Sequence, residues 1–249
     1  MSTFDDLIAE ASAVPVAGWD FSWFAGRATE QRPSWGYARL LGRQMAGARR
    51  AVDLQTGGGE VLAGVESVPP LLVATEGWPP NVAVARRRLA PLGVHVVRAA
   101  QDGGLPLRSG CFDLVVSRHP TVVDWSEVAR VLVPGGAYLS QQIGPDSVGE
   151  LRAALGVSVP PRADQRPDRV RDAATAAGLD VVDLRMESLR VEFFDIAAVV
   201  VFLRKVVWTV PGFTVDRYRA RLAALHRRIC AEGVFVAYSR RVLVRAYRR

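Results

Sequence analysis

The sequence predicts an α/β protein built on a doubly wound, mostly parallel sheet. Short apolar runs alternate with helical segments along most of the 249 residues, which is the order of β and α units in such sheets. The first apolar run leads directly into a glycine-rich turn at residues 57–59, and the second ends at an acid, Glu76. Both features are typical of the carboxyl edge of a doubly wound sheet.

Seven strands are expected, separated by helices. They lie at about residues 50–54, 71–75, 94–97, 112–117, 136–142, 179–187 and 240–247. Residues 157–168, rich in Pro and Arg, predict an exposed connection to a helix over about residues 169–178. Another helix is expected over 214–232, with Thr214 at its cap and Asp216 in its first turn.

The glycine turn predicts a cofactor site of the nucleotide type. Glycine permits positive φ values and lets a ligand lie against bare backbone, while a following helix would offer amide donors. Glu76 stands about twenty residues beyond the turn, where a carboxylate can accept hydrogen bonds from both hydroxyls of a ribose. Each feature also has a purely structural interpretation, namely a tight strand-to-helix connection and a solvated loop glutamate.

Three segments carry a family pattern that covers about residues 48–143. Residues 53–59 match an acidic-x-Gly-x-Gly-x-Gly motif, with Gln55 in place of the first glycine. Residues 105–119 contain a Leu-Pro run followed by a strand, and residues 127–136 contain a helix followed by Pro-Gly-Gly. Together these segments resemble the class I S-adenosylmethionine-dependent methyltransferases, in particular the small-molecule group similar to the ubiquinone and menaquinone biosynthesis enzymes.

The resemblance implies a seven-stranded, Rossmann-like methyltransferase sheet with an antiparallel last strand. It also implies an N-terminal helical lid and a helical insertion before that last strand. We therefore expect a single domain in four parts: a lid or arm over 1–48, a cofactor-binding core over 49–192, a substrate-cover insertion over 193–234, and the last strand within 235–249.

S-adenosylmethionine is the cofactor that the resemblance implies, and matched positions suggest its contacts. The expected contacts are Asp53, Gln55, Gly57 and Gly59 for the methionine part, Glu76 for the ribose, Gly77 and Trp78 beside the adenine, Gln101 or Asp102 for the adenine amino group, and Ser117, Arg118 and His119 on the side that faces the acceptor. Arg32, in the N-terminal arm, is expected to reach the methionine carboxylate.

Aromatic residues predict the walls of an acceptor site. An aromatic-rich arm precedes the core, and an apolar insertion lies where the substrate loops of this fold gather. The expected substrate-binding residues are Trp19, Trp23, Phe194, Phe202, Trp208 and Phe213. Aromatic faces attract a sulfonium by about 0.5 to 2 kcal/mol. The alternative is that these rings only attach the arm and the insertion to the core.

His119 is the candidate catalytic residue. Methyl transfer is an in-line displacement, so alignment and exclusion of water can suffice, whereas a hydroxyl acceptor would also need a base. His119 follows the fourth strand directly, and imidazole titrates near neutral pH. The alternative is a backbone hydrogen bond made by His119 before Pro120. His95 and His226 are weaker candidates.

Composition and charge limit the remaining classes of function. The chain carries a net charge of +7, and residues 204–249 hold twelve Lys or Arg against two acids, a segment that could attract RNA. Polar outer faces of helices explain the same cluster. No apolar run is long enough to cross a bilayer, and the acidic, mixed start predicts a cytosolic protein without membrane insertion. The two cysteines and three histidines show no metal-binding spacing.

The sequence thus predicts methyl transfer to a small, partly apolar acceptor at an oxygen, nitrogen or carbon atom. One alternative is an RNA methyltransferase, which requires a basic groove leading to His119. Another is a binding or regulatory protein that keeps the fold without catalysis, as Gln55 hints. The identity of the acceptor and the oligomeric state are not predicted.

Overall fold

The computed structural model describes residues 2–16, 20–100 and 104–249. Within these residues the strands are β1 Ala28–Glu30, β2 Arg50–Leu54, β3 Leu71–Glu76, β4 His95–Arg98, β5 Phe112–Arg118, β6 Leu132–Ile143, β7 Leu179–Phe193 and β8 Phe235–Arg248. The helices are α1 Phe4–Ala13, α2 Tyr37–Gly47, α3 Pro79–Leu89, α4 Trp125–Val131, α5 Gly149–Ala154, α6 Pro167–Ala176, α7 Ile196–Lys205 and α8 Val215–Glu232.

The chain divides into two compact units. The first unit comprises Met1–Arg32, Asp146–Pro161 and Ser188–Arg240, and the second comprises Pro33–Pro145, Arg162–Glu187 and Arg241–Arg249. Strands β7 and β8 each contribute residues to both units.

The second unit contains the sheet predicted from the sequence. Its strands follow the order β7, β8, β6, β5, β2, β3 and β4. The pairings β3–β4, β2–β3, β2–β5 and β5–β6 are all parallel, whereas β8 pairs antiparallel with β6. The doubly wound α/β class and the antiparallel last strand are therefore confirmed.

Both faces of this sheet are covered. In β5, Leu114 and Val116 belong to one apolar cluster, whereas Val115 between them belongs to another. Helices α2 and α3 contribute to the first cluster, and α4 and α6 contribute to the second. Burial on two faces explains why these strands are continuous apolar runs in the sequence and do not alternate with polar residues.

The first unit is mainly helical. Thr3 and Asp6 form a capping box at the start of α1, and the side chains of Asp195 and Thr214 cap α7 and α8. Six consecutive residues of α7, 196–201, are fully buried, which agrees with a helix that is apolar on nearly all sides. No helix in the described parts of the chain is long and apolar enough to span a membrane.

The count of seven strands needs a correction, because the described residues form a sheet of eight. The additional strand, β1, lies in the segment expected to be a helical lid, and it pairs antiparallel with Val191–Phe193 at the end of β7. Strand β7 accordingly runs six residues beyond the predicted end at residue 187. A three-residue strand shows no alternation in the sequence, and tertiary pairing alone fixes its conformation.

Candidate active site

The glycine turn after β2 has the left-handed backbone that its glycines suggest. Gln55, Gly57 and Gly59 have φ values of 58°, 65° and 77°. A Cβ atom on Gly59 would lie 2.8 Å from Cγ of Leu89 in α3, so close packing excludes a side chain there. Among the described residues, no α-helix directly follows the glycine turn as expected. Residues 62–64 form only one 3-10 turn.

Gly59→Ala tests this packing. We expect the free energy of unfolding to fall by about 2–4 kcal/mol, because alanine has to adopt a positive φ and overlap Leu89. Gly93→Ala is the matched control, since Gly93 has a φ of 67° with no atom within 4 Å of its added Cβ, and it should lose only about 1–2 kcal/mol. Urea denaturation measures both. Equal losses in the two variants would contradict the packing argument.

Glu76 ends β3 directly beside the glycine turn. Its side chain is buried, with 4% of the residue exposed. One carboxylate oxygen accepts a hydrogen bond from the Gly57 N–H at 2.8 Å, and the other accepts one from the Trp78 N–H at 2.8 Å. Each carboxylate oxygen has two lone pairs, so the group can still accept hydrogen bonds from a ribose.

Gln55 connects the glycine turn to the loop after β5. Its side-chain nitrogen donates to the carbonyl of Val122 at 2.6 Å. Its side-chain oxygen accepts from the Thr121 N–H at 2.8 Å and from the Thr121 hydroxyl at 3.0 Å. A left-handed conformation costs a residue other than glycine about 1–2 kcal/mol, and these three hydrogen bonds offset that cost.

Asp53 lies at the end of β2 and is buried. Burial raises the pKa of this carboxyl group to about 7, and the nearby Glu76 charge acts in the same direction. The Thr56 hydroxyl lowers this pKa in part. It lies outside hydrogen-bond geometry, however, and has no partner among the described residues. The turn therefore presents an acid that titrates near neutral pH and an unused hydroxyl.

The carboxyl ends of β2, β3 and β5 enclose a cleft of about 40 Å³. Its lining includes Gln55 from the glycine turn, Thr75 before Glu76, Ser117 at the end of β5, and Leu105. Two of the expected cofactor contacts, Gln55 and Ser117, therefore line one cleft at the carboxyl edge of the sheet, where doubly wound folds place their ligand sites. Gln101, Asp102 and Trp19 lie outside the described residues.

The Leu-Pro run at Leu105 is tied to α4. Glu127 accepts a hydrogen bond from the Leu105 N–H at 2.5 Å, and Arg130 donates to the carbonyls of Leu105 and Leu107 at 3.0 and 2.8 Å. The Arg130 guanidinium, which also pairs with Glu127, holds the pKa of that carboxyl below its usual value. The Leu-Pro segment of the family pattern thus has a structural role beside the cleft, which Leu105 helps to line.

Aromatic residues cover the ends of β5 and β6. The Tyr37 hydroxyl donates to the carbonyl of Ser117 at 3.0 Å, and the Trp35 indole N–H donates to the side-chain oxygen of Gln141 at 2.9 Å. The Gln141 side-chain nitrogen lies 3.0 Å from Nε2 of His119. Trp35, Tyr37 and Gln141 are all buried.

His119 adopts a φ of 56° and donates its backbone N–H to the carbonyl of Gln141 at 2.7 Å. A backbone hydrogen bond before Pro120 is therefore present, in addition to the contact of the imidazole with the Gln141 side chain. Burial lowers the pKa of His119 well below its usual value, and the nearby Arg241 and Arg118 charges lower it further. The imidazole is consequently neutral at physiological pH.

The remaining residues expected to contact S-adenosylmethionine are more exposed. Gly77 and Trp78 are the two residues after Glu76, and Trp78 is half exposed. Arg118, at the end of β5, is exposed, and so is Arg32 at the end of a first-unit segment. Their assignment to the donor stays a prediction.

The described residues expected to bind the acceptor lie in the first unit. Trp23 packs against Phe24, with the Arg27 guanidinium 4.6 Å from its ring, and Phe202 packs edge-on against Phe193. Phe194 and Trp208 are exposed. Phe213 helps to line a mostly apolar cleft of about 290 Å³ within this unit. Their substrate role stays a prediction.

Sequence reasoning missed Gln141 and Thr56, and it placed Trp35 and Tyr37 only within the arm expected over residues 1–48. A signal for Gln141 does exist, because Ser140, Gln141 and Gln142 are consecutive buried polar residues that directly follow the buried Tyr138 and Leu139. Buried polar groups require partners, so this run indicates a hydrogen-bonded site.

Comparison with known proteins supports the resemblance to methyltransferases. Residues 52–140 match a family described as a methyltransferase domain, and no curated protein matches the sequence. Solved structures show the same fold at low identity. The YcgJ protein of Bacillus subtilis is 16% identical with a TM-score of 0.63, covering 86% of this chain and 98% of its own. A Bacillus halodurans protein provisionally described as a methyltransferase is also 16% identical, with a TM-score of 0.61 and coverage of 86% and 99%.

A third similar structure contains ligands. Geranyl diphosphate C-methyltransferase from Streptomyces coelicolor, solved with Mg²⁺, geranyl diphosphate and S-adenosyl-L-homocysteine, is 15% identical to this chain. Its TM-score is 0.51, and the match covers 85% of this chain and 78% of that one.

Proposed function

We propose that this chain, a class I S-adenosylmethionine-dependent methyltransferase whose residues 52–140 match the methyltransferase domain family, methylates a small, partly apolar acceptor. S-adenosylmethionine, when bound, supplies the methyl group and the sulfonium leaving group. The residues of the chain bind and orient the reactants and exclude water, which can provide about 7 to 11 kcal/mol of the barrier reduction.

The residues at the glycine turn fit this donor. The Glu76 carboxylate retains lone pairs for two ribose hydroxyls, and Asp53 can provide a negative charge toward the donor ammonium. The unpartnered Thr56 hydroxyl offers another hydrogen bond in the same turn. We therefore assign the methionine part to the Asp53–Gly59 turn and the ribose to Glu76.

A small acceptor is supported chiefly by the aromatic cover over β5 and β6. Trp35 and Tyr37 are each 7% exposed and hydrogen-bond to Gln141 and Ser117 at the strand ends. Ser117 also lines the cleft. A polymer such as RNA needs an open path to these strand ends, whereas a small molecule needs only a pocket.

Partial apolar character is supported by the residues proposed to bind the acceptor. Trp23, Phe194, Phe202, Trp208 and Phe213 offer aromatic surface, and Phe213 lines a mostly apolar cleft. Such surfaces stabilise apolar ligands by removing them from water.

The RNA alternative receives less support, because acids neutralise part of the basic C-terminal segment. Four of its arginines form ion pairs: Arg219 with Asp5, Arg228 with Glu232, Arg240 with Asp146 and Arg249 with Asp180. The non-catalytic alternative loses its main argument as well, since Gln55 takes the same left-handed conformation as Gly57 and Gly59 in this turn.

The acceptor class is tested by methyl transfer from labelled S-adenosylmethionine to phenols, quinols, enolisable dicarbonyls and amines, with total RNA as a parallel substrate. We expect transfer to a small acceptor. The double variant Arg227→Gln/Arg228→Gln should keep this activity within about twofold, because exposed charges contribute little to binding a small acceptor. Transfer to RNA that is lost in the double variant would contradict the proposal.

A further inference from the structure

We propose that Trp35 and Gln141 hold His119 as the Nδ1–H tautomer, so that His119 meets the acceptor as a hydrogen-bond donor and not as a base. The inference rests on the proposed function for the identity of the acceptor. The tautomer itself follows from the hydrogen bonds of three side chains.

The Trp35 indole sets the direction of this chain of hydrogen bonds. An indole N–H can only donate, so the Gln141 atom 2.9 Å from it is the amide oxygen. The amide nitrogen of Gln141 then faces Nε2 of His119 at 3.0 Å. An amide nitrogen only donates, so Nε2 has to be the accepting nitrogen. In a neutral imidazole the proton consequently resides on Nδ1.

The opposite tautomer carries a clear cost. A proton on Nε2 would face the NH₂ group of Gln141, and turning the amide over would place that group against the Trp35 N–H. Gln141 is 3% exposed and Trp35 is 7% exposed, so water cannot readily replace the lost hydrogen bonds. An unsatisfied buried polar group costs about 1–3 kcal/mol.

Charged neighbours disfavour a second proton on the imidazole. Arg118, on the strand that leads to His119, and Arg241, on β8, both lower its pKa, in addition to the larger effect of burial. Nε2 of His119 thus already accepts a hydrogen bond from Gln141, and it is only weakly basic. For a base, the opposite properties are useful: a free nitrogen and a pKa near the working pH.

The Nδ1–H group is available for a ligand. His119 is half-buried, and its Nδ1 has no hydrogen-bond partner within the described part of the chain. Its neighbours Ser117 and Pro120 both line the cleft, and the backbone hydrogen bond to Gln141 fixes the residue in place.

A hydrogen-bond donor at His119 selects a chemical class of methyl acceptor. The acceptor needs an oxygen or nitrogen lone pair to receive the Nδ1–H, and its nucleophilic atom has to react without losing a proton to His119. A stabilised enolate or an acidic phenolate meets both conditions, because the anion already exists at neutral pH. An aliphatic alcohol does not.

Nitrogen-15 NMR of the imidazole side chains tests the tautomer without any substrate. The chain has three histidines, and His119→Asn identifies the signals of His119. We expect a neutral Nδ1–H imidazole from pH 6 to pH 8. A neutral Nε2–H form, or a charged imidazole at pH 7, would overturn the inference.

Gln141→Glu is the sharpest variant, because a carboxylate accepts from both Trp35 and His119. We expect it to move the proton to Nε2 and to raise the pKa of His119. Trp35→Phe removes the indole donor and should give a mixture of the two tautomers. An unchanged Nδ1–H signal in both variants would contradict the role of these residues, and the wild-type spectrum decides the tautomer even if a variant does not fold.

Kinetics with an active small methyl acceptor tests whether His119 acts as a hydrogen-bond donor. Plotted against pH from 6 to 8, kcat of the wild type should show no titration of His119. Asparagine can still donate, so His119→Asn should keep kcat within about tenfold, whereas His119→Ala should lose about 100-fold. Equal losses in both variants, with a titration in the wild type, would overturn the donor role. Absence of transfer to every small acceptor, with the Nδ1–H signal intact, would contradict only the proposed function.

Discussion

Replacing Glu76 with alanine is expected to raise the Kd for S-adenosylmethionine at least about 100-fold. The variant loses the hydrogen bonds to the ribose, each worth about 1.5–3 kcal/mol for a charged acceptor. It also leaves the N–H groups of Gly57 and Trp78 without their acceptor, which loosens the glycine turn. Calorimetric titration with S-adenosylmethionine and S-adenosylhomocysteine measures the loss.

Two further variants separate charge from general damage. Glu76→Gln retains one accepting oxygen but turns an NH₂ group toward Gly57 or Trp78, so we expect an intermediate Kd. Glu66→Gln removes an acid in an exposed loop and should bind the donor within about twofold of the wild type. Normal donor binding by a folded Glu76→Ala protein would contradict the ribose assignment. No binding by the wild type at millimolar ligand would contradict the donor site as a whole.

The sheet could be predicted because its signals are local. Strands β2, β3 and β5 are short, mostly apolar runs that end at turns, and burial on both faces of the sheet makes such runs continuous. The pairing of β1 with the end of β7 could not be predicted in this way. Its residues form a strand only because Ala28–Glu30 and Val191–Phe193 come together in the folded chain.

The candidate site likewise has one part that local sequence predicts and one part that it does not. Glu76 and Asp53 stand at positions fixed by strand ends, so the sequence alone predicts that they lie beside the glycine turn. The contacts of Trp35 with Gln141 and of Gln55 with Thr121 join residues that are 106 and 66 positions apart. Nothing local in the sequence indicates these partners. The apparent departure of Gln55 from the motif is explained only once its side-chain hydrogen bonds are seen.

Asp53 should make donor binding depend on pH. With a pKa of about 7, roughly a tenth of the carboxyl groups is ionised at pH 6, and most are ionised at pH 8. The donor carries an ammonium and a sulfonium, so it binds the ionised form better. We expect affinity to rise about tenfold from pH 6 to pH 8 in the wild type. Asp53→Asn should bind more weakly with no such rise, whereas the exposed control Asp172→Asn should retain it.

The same carboxyl group should destabilise the ligand-free protein at high pH. Its pKa rises from 3.8 to about 7 on folding, so the folded state holds this proton more tightly than the unfolded state. The cost is absent below about pH 4, grows between pH 4 and 7, and is complete above pH 7, at up to about 4 kcal/mol.

Asp53→Asn should therefore raise the free energy of unfolding at pH 8 by up to about 4 kcal/mol and leave it nearly unchanged at pH 4. Urea denaturation at the two pH values measures this difference, with Asp172→Asn as the control. A stability gain that is equal at both pH values would show that the carboxyl charge is not its source. We expect a gain confined to high pH, together with weaker binding of S-adenosylmethionine. That combination would mean that burial of Asp53 lowers the stability of the ligand-free protein but provides a carboxylate that becomes ionised when the cationic ligand binds.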